Sequence, residues 1–129
     1  MSTRRGRAGG DVVRDFLRAR GCAEHVIEGG LEGLVAAWER TALEVERGYR
    51  GDRDEYRNDL DARQVLADSI AAAPSAASPA IIERIEAADE RLRGAVELGA
   101  SCVWGTSIAK RERWTTKRNW WYFTQLRER

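Results

Sequence analysis

Residues 23–48, AEHVIEGGLEGLVAAWERTALEVERG, decide how this chain folds. Ile27, Leu31, Leu34, Val35, Trp38, Ala42 and Val45 recur there at intervals of three and four, so one face of a helix collects them while Glu and Arg take the other. Gly29, Gly30 and Gly33 interrupt the early half of the run. A helical glycine costs roughly 1 kcal/mol relative to alanine. The spacing therefore predicts a break or kink here, with the helix beginning again near Leu31, or a place where another backbone comes close.

Toward the N-terminus, Asp11 offers a cap, Val13, Phe16 and Leu17 follow at helical spacing, and Gly21 offers a stop, which predicts a first helix of about three turns. Residues 1–10, MSTRRGRAGG, have no periodicity and read as a flexible basic arm.

On the other side, Gly48 and Gly51 bracket a turn, and Asp52 with Glu55 forms an acidic variant of the capping box. Tyr56, Leu60, Arg63, Leu66, Ala67 and Ile70 supply the inward stripe of the helix that follows, although Asn58 or Asp59 could instead cap a second helical segment after a short first turn. The small-residue linker AAAPSAASPA at 71–80 ends in Ser78 and Pro79, a cap and first helical position. Ile81, Ile82, Ile85, Ala88, Leu92 and Val96 then form a fourth stripe, with Glu83, Glu86, Asp89 and Glu90 on the remaining faces and Gly94 or Gly99 at the end.

Four apolar stripes imply an all-α fold, a compact bundle of four main helices, in one domain spanning residues 11–129. The domain closes on a short aromatic C-terminal extension, in which Ser101–Trp104 is β-compatible, Ser107–Arg113 suits a short helix and Asn119–Thr124 suits an extended segment. A hydrophobic fraction of 43% beside 33% charged residues fits a folded, water-soluble chain. No apolar run follows the basic N-terminus and none approaches the ~20 residues that span a bilayer, so the expectation is a cytoplasmic protein without membrane association. Cys22 and Cys102 match no metal spacing and read as buried free thiols.

The net charge of +1 conceals a segregation. Residues 1–20 carry six Arg against two Asp (+4), residues 21–100 nine Arg against seventeen acids (−8), and residues 101–129 seven bases against two acids (+5). Basic ends of this kind can neutralise the acidic middle of the same fold or present a positive patch to an external anion. Four of the five Trp also lie in the last 29 residues. Trp104, Trp114, Trp120, Trp121 and Tyr122, with Lys117 and Arg118, are therefore the candidate binding residues, as anchors for a protein partner or as stacking and phosphate groups for nucleic acid. An exposed Trp-Trp-Tyr-Phe run would invite aggregation, which predicts that several rings fold back over the helices, and the −8 and +5 halves suggest a clasp.

The acid-rich helices raise a second reading, since facing carboxylates could hold Mg²⁺ for hydrolysis of phosphate esters. The chain lacks a paired-Glu motif on two helices, and Asp59 with Arg63 reads as a solvated i,i+4 pair. His25, the single histidine, stands three residues from Cys22 with nothing to complete a nucleophile pair. No metal site, cofactor or catalytic residue is assigned, no RNP, KH or zinc-finger pattern supports nucleic-acid binding, and nothing specifies an oligomeric state. The expected function is a small partner-binding or regulatory, inhibitor-like helical protein whose partner is another protein.

Overall fold

Gly30 sits at φ 60°, ψ −153°, inside the stretch that spans Glu24–Arg47. Side chains are excluded from that conformation, so glycine there lets residues 24–29 and 31–47 follow different axes within one helical run, α2. The kink anticipated among the three glycines is thus at the second of them. The computed structural model describes residues 9–127. Around α2 lie α1 (Gly9–Ala19), α3 (Arg53–Ala72) and α4 (Pro79–Arg93), followed by β1 (Val96–Leu98), α5 (Thr106–Glu112), a 3₁₀ turn at Trp120–Phe123 and β2 (Thr124–Leu126).

Helix starts and stops follow the local chemistry. Asp52 accepts from the Glu55 backbone N–H at 2.9 Å while the Glu55 side chain accepts from Asp52 N–H at 3.3 Å, so the capping box begins α3. Ser78 accepts from Ile81 N–H at 3.2 Å, with Pro79 as the first residue of α4. α1 begins earlier than expected. Gly9 and Gly10 belong to its first turn and Asp11 lies within it, because Gly9 packs on Ala76 so closely that a Cβ would come within 2.9 Å of the Ala76 Cα. Residues 1–8 of the expected arm lie outside the described residues.

The helices are arranged around α2, on which α1, α3 and α4 all pack, and α1 also reaches α3. Trp38, Val35 and Ala42 of α2 are fully buried with Val13, Leu17, Leu60, Leu66 and Leu92, one from each stripe or more. The protein is mostly helical, with a small sheet in addition.

That sheet is not where the sequence pattern put it. β1 and β2 pair antiparallel, Val96 opposite Leu126, Glu97 opposite Gln125 and Leu98 opposite Thr124. Val96 therefore leaves the α4 stripe, which ends at Arg93, yet stays buried as a strand residue. Ser101–Trp104 is loop and turn, tied by Ala100 N–H to Phe123 O at 3.0 Å and Val103 N–H to Tyr122 O at 2.8 Å. Most of the expected extended segment Asn119–Thr124 coils into the 3₁₀ turn. A strand sends alternate side chains to opposite faces, whereas here the adjacent Trp121 and Tyr122 are both buried, and the tighter turn achieves that.

Candidate functional site

Arg57, Asp61 and Gln64 follow one another along α3 at intervals of four and three, on one face of the helix. That face receives the C-terminal segment. The Asp61 carboxylate accepts from Trp104 Nε1 at 3.0 Å and from the Tyr122 hydroxyl at 2.6 Å. Gln64 Oε1 accepts from Asn119 Nδ2 at 2.9 Å, and the Arg57 guanidinium lies 4.5 Å from the Trp104 ring centre. One turn deeper, Arg63 reaches under Trp121, 4.2 Å from its ring, and Tyr56 shares a 2.5 Å hydrogen bond with Thr124.

The candidate residues divide by depth. Trp121 and Tyr122 are buried in the core. Trp104, Trp114 and Trp120 are half-buried, Trp114 stacked on Tyr122 at 3.9 Å and Trp120 beneath Arg93 at 4.3 Å. Lys117 and Arg118 are exposed. The segment is a clasp, but made by neutral N–H and O–H donors and ring faces more than by opposite charges. Arg127 does meet an acid of the middle segment, Glu97, at 3.7 Å. The other described cations of the tail, Lys110, Arg111, Arg113, Lys117 and Arg118, stay on the exposed side.

These cations stand on a fixed frame, the knuckle formed by the end of α5 and the turn after it. Arg113 ends α5 at φ 61°, ψ 33°, its N–H bonded to Lys110 O at 3.2 Å, while Trp114 N–H bonds to Ala109 O at 2.9 Å. Thr115 N–H donates to Asn119 Oδ1 at 3.1 Å, Arg118 N–H to Thr115 Oγ1 at 3.0 Å, and Arg118 Nη2 to Arg113 O at 2.6 Å. The Trp114–Tyr122 stack and the Asn119–Gln64 bond attach the knuckle to α3.

Several acids of α2, α3 and α4 are committed elsewhere. Arg84 bridges Glu32 at 2.7 Å and Glu39 at 2.6 Å, and its hydrogen bonds hold both carboxyls below the usual range. Arg91 pairs with Glu46 at 2.8 Å. Arg63 turns inward, away from the solvated pairing with Asp59 that its spacing suggested, and Asp59 accepts instead from the Tyr49 hydroxyl at 2.6 Å. Among the described residues no three His, Cys, Asp or Glu side chains gather where a cation could be held.

A groove of about 520 Å³ between α2 and α3 has no counterpart in the sequence reading. Gly29, Gly33, Ala36, Ala37 and Ala62 leave it open, and Cys22, His25, Arg40, Asn58 and Asp61 contribute its other chemistry. The spacing of small residues on α2 was its one sequence signal. Cys22 is half-buried and Cys102 buried, both as free thiols.

Burial pushes the Tyr122 hydroxyl well above the ordinary tyrosine value of 10, with the bond to Asp61 adding to it; Tyr49 is raised by burial and by Asp59. Tyr56 is pushed up to about 12 by burial, against the opposing effect of its Thr124 bond. A folded-state value above the unfolded one stabilises the fold fully below pH 10 and loses that stabilisation as pH rises through the folded value. The midpoint of thermal unfolding is therefore expected to fall between pH 10 and 12, and Tyr122→Phe to flatten that dependence. Unfolding scans across this range check it, and an unchanged slope in Tyr122→Phe would contradict the assignment to Tyr122.

Compared with protein-family models, with characterised proteins and with solved structures, the chain matches none. Among the described residues no helix is long and apolar enough to cross a membrane.

Proposed function

We propose that this is a small partner-binding, regulatory protein that meets another protein through the outer side of its C-terminal clasp. The supporting observation is the division of labour among the tail's side chains. Its rings and uncharged polar groups face inward to hold the segment on α3, while five cations within residues 110–118 stay exposed, with Glu112 as the single acid among them. Glu112 lies 3.4 Å from Arg111. Elsewhere Arg20, Arg63, Arg84 and Arg91 each meet a carboxylate from another helix, whereas the knuckle gathers five cations with only Glu112 of its own segment among them.

Lys110 and Arg111 in the last turn of α5 favour the helix dipole and Arg118 donates to the Arg113 carbonyl at the helix end, but the exposed charges of Arg113 and Lys117 meet no carboxylate among the described residues. An exposed, predominantly cationic surface suits recognition, where charge sets orientation and association rate. The knuckle contributes Trp114 as a half-exposed aromatic beside the cations, the combination enriched in protein interfaces.

The test uses the full chain as immobilised bait beside a Lys110→Glu, Lys117→Glu variant. The expected result is one stoichiometric protein partner that cross-links to Lys110 or Lys117 and is lost by the variant, which stays folded with its thermal midpoint lowered only by the reversed charge at the end of α5. Retention of the same proteins by both chains, with cross-links elsewhere, would sink the reading.

A further inference from the structure

We propose that the knuckle's partner is an acidic protein segment, read by its exposed cations, among them Arg113 on a left-handed backbone; this rests on the partner-binding reading above. Arg113 is the described non-glycine residue with positive φ, at 61°. A helix C-terminus that turns through the left-handed region usually does so on glycine, because a Cβ there costs roughly 1–2 kcal/mol. Here the chain keeps a long, exposed guanidinium at that position, with no carboxylate partner among the described residues. Nothing inside the fold requires it. Its carbonyl, not its side chain, makes the contact with Arg118. The Arg113 backbone caps α5 and holds Arg118, but its guanidinium takes part in neither contact, so a long charged side chain kept at a position that favours glycine points to a ligand outside.

Along the chain Arg113 falls between the cations at the end of α5, Lys110 and Arg111, and those of the following turn, Lys117 and Arg118, and Arg118 Nη2 returns to the Arg113 carbonyl at 2.6 Å. Carboxylates suit this set better than a continuous phosphate backbone. The rings that would stack on bases are already used, Trp104 by Arg57, Trp114 by Tyr122 and Trp120 by Arg93. The middle of the chain is acidic, residues 21–100 carrying −8, which repels a long polyanion while leaving a short acidic segment free to reach the knuckle alone.

Two measurements on the full chain test this together. The first is the thermal midpoint of Arg113→Gly, expected to rise by about 2–4 °C as the left-handed strain is relieved. The second is fluorescence anisotropy with a labelled oligoglutamate peptide and, separately, a labelled DNA duplex. Arg113→Gly is expected to weaken oligoglutamate binding roughly threefold to fivefold, as one exposed charge pair is lost. Lys110→Glu with Lys117→Glu is expected to weaken it at least ~10-fold, and raised salt to weaken it for every chain.

Oligoglutamate binding that is indifferent to these substitutions overturns the proposal. DNA binding tighter than peptide binding, with a steep salt dependence, overturns it in favour of nucleic acid. Should the bait experiment yield a cross-linked partner that oligoglutamate fails to displace, the acidic-segment proposal falls while the partner-binding reading stands. Oligoglutamate binding at the knuckle with no partner lost on charge reversal is the converse result, supporting the acid specificity and removing the reading beneath it.

Discussion

Asp89→Ala is expected to destabilise the fold by about 3–5 kcal/mol, the cost of breaking a buried ion pair from one side. Asp89 of α4 is 8% exposed and Arg63 of α3 is 9% exposed. Its Oδ1 accepts from Trp38 Nε1 of α2 at 2.8 Å and from Arg63 Nε at 3.0 Å, and its Oδ2 accepts from Arg63 Nη2 at 3.0 Å. One carboxylate thus joins three helices. Arg63 extends the connection to the tail, lying against the rings of Trp38 at 5.9 Å and Trp121 at 4.2 Å. Alanine leaves a guanidinium charge and an indole N–H without acceptors in a site closed to water. A domain of this size has about 5–15 kcal/mol in all, so a large share of the fold's margin depends on this group. Chemical denaturation measures it, and a loss below ~1 kcal/mol would show that the site opens to solvent. Removing both charges, as in Asp89→Leu with Arg63→Met, is expected to cost less than the sum of the single changes, because neither ion is then stranded.

This node shows where the sequence was legible and where it was not. Periodicity placed Arg63 in the inward stripe of α3 while its spacing from Asp59 suggested a solvated pair, and the stripe is its position. It placed Asp89 among the acids decorating α4. Yet Ile85, Ala88, Asp89 and Leu92 follow the same three-and-four spacing, and all four are buried. Assigning residues by polarity before position hid the acid, although a buried Trp38 needs an acceptor for its N–H. The four main helices, the Gly30 break and both side-chain caps were legible because each depends on residues a few positions apart. The strands were not, since Val96 pairs with a residue thirty positions later and each strand has three residues, too few for an alternation to register.

The candidate site divides in the same way. Its chemistry was visible in the clustering of Trp and cations, but its polarity was not. Charge totals suggested that the basic tail would neutralise the acidic middle. In the fold, Asp61 takes an indole N–H and a phenol O–H from the tail, and the helices' own Arg57, Arg63 and Arg93 take the ring faces. The aggregation hazard of an exposed Trp-Trp-Tyr-Phe run did predict rings turned inward, but summed charge carries no direction, so it could not foretell that the cations would turn outward. Direction came from the backbone: the 3₁₀ turn at Trp120–Phe123 and the left-handed Arg113.

Trp121→Ala is expected to cost about 3–5 kcal/mol and Trp120→Ala about 1–2, although the two are neighbours in sequence. Trp121 is 3% exposed, packed between Arg63 and the edge of Trp120. Trp120 is half-buried, with Arg93 as its cover. Deleting the first opens a cavity under the clasp and strips Arg63 of its ring, so the loss spreads to the Asp89 node. Deleting the second removes surface area and one exposed cation–π contact. The indole N–H of Trp121 has no acceptor among the described residues, so Trp121→Phe loses no hydrogen bond and is expected to cost less than ~2 kcal/mol, from the smaller ring alone. Equilibrium unfolding of the three variants separates the contributions. Equal costs at 120 and 121 would mean that the clasp works as a loose aromatic cover with no fixed register. A large gap, with Phe restoring most of it, would mean that it holds through one buried ring, and that the tail's outer cations are free to serve a partner without endangering the fold.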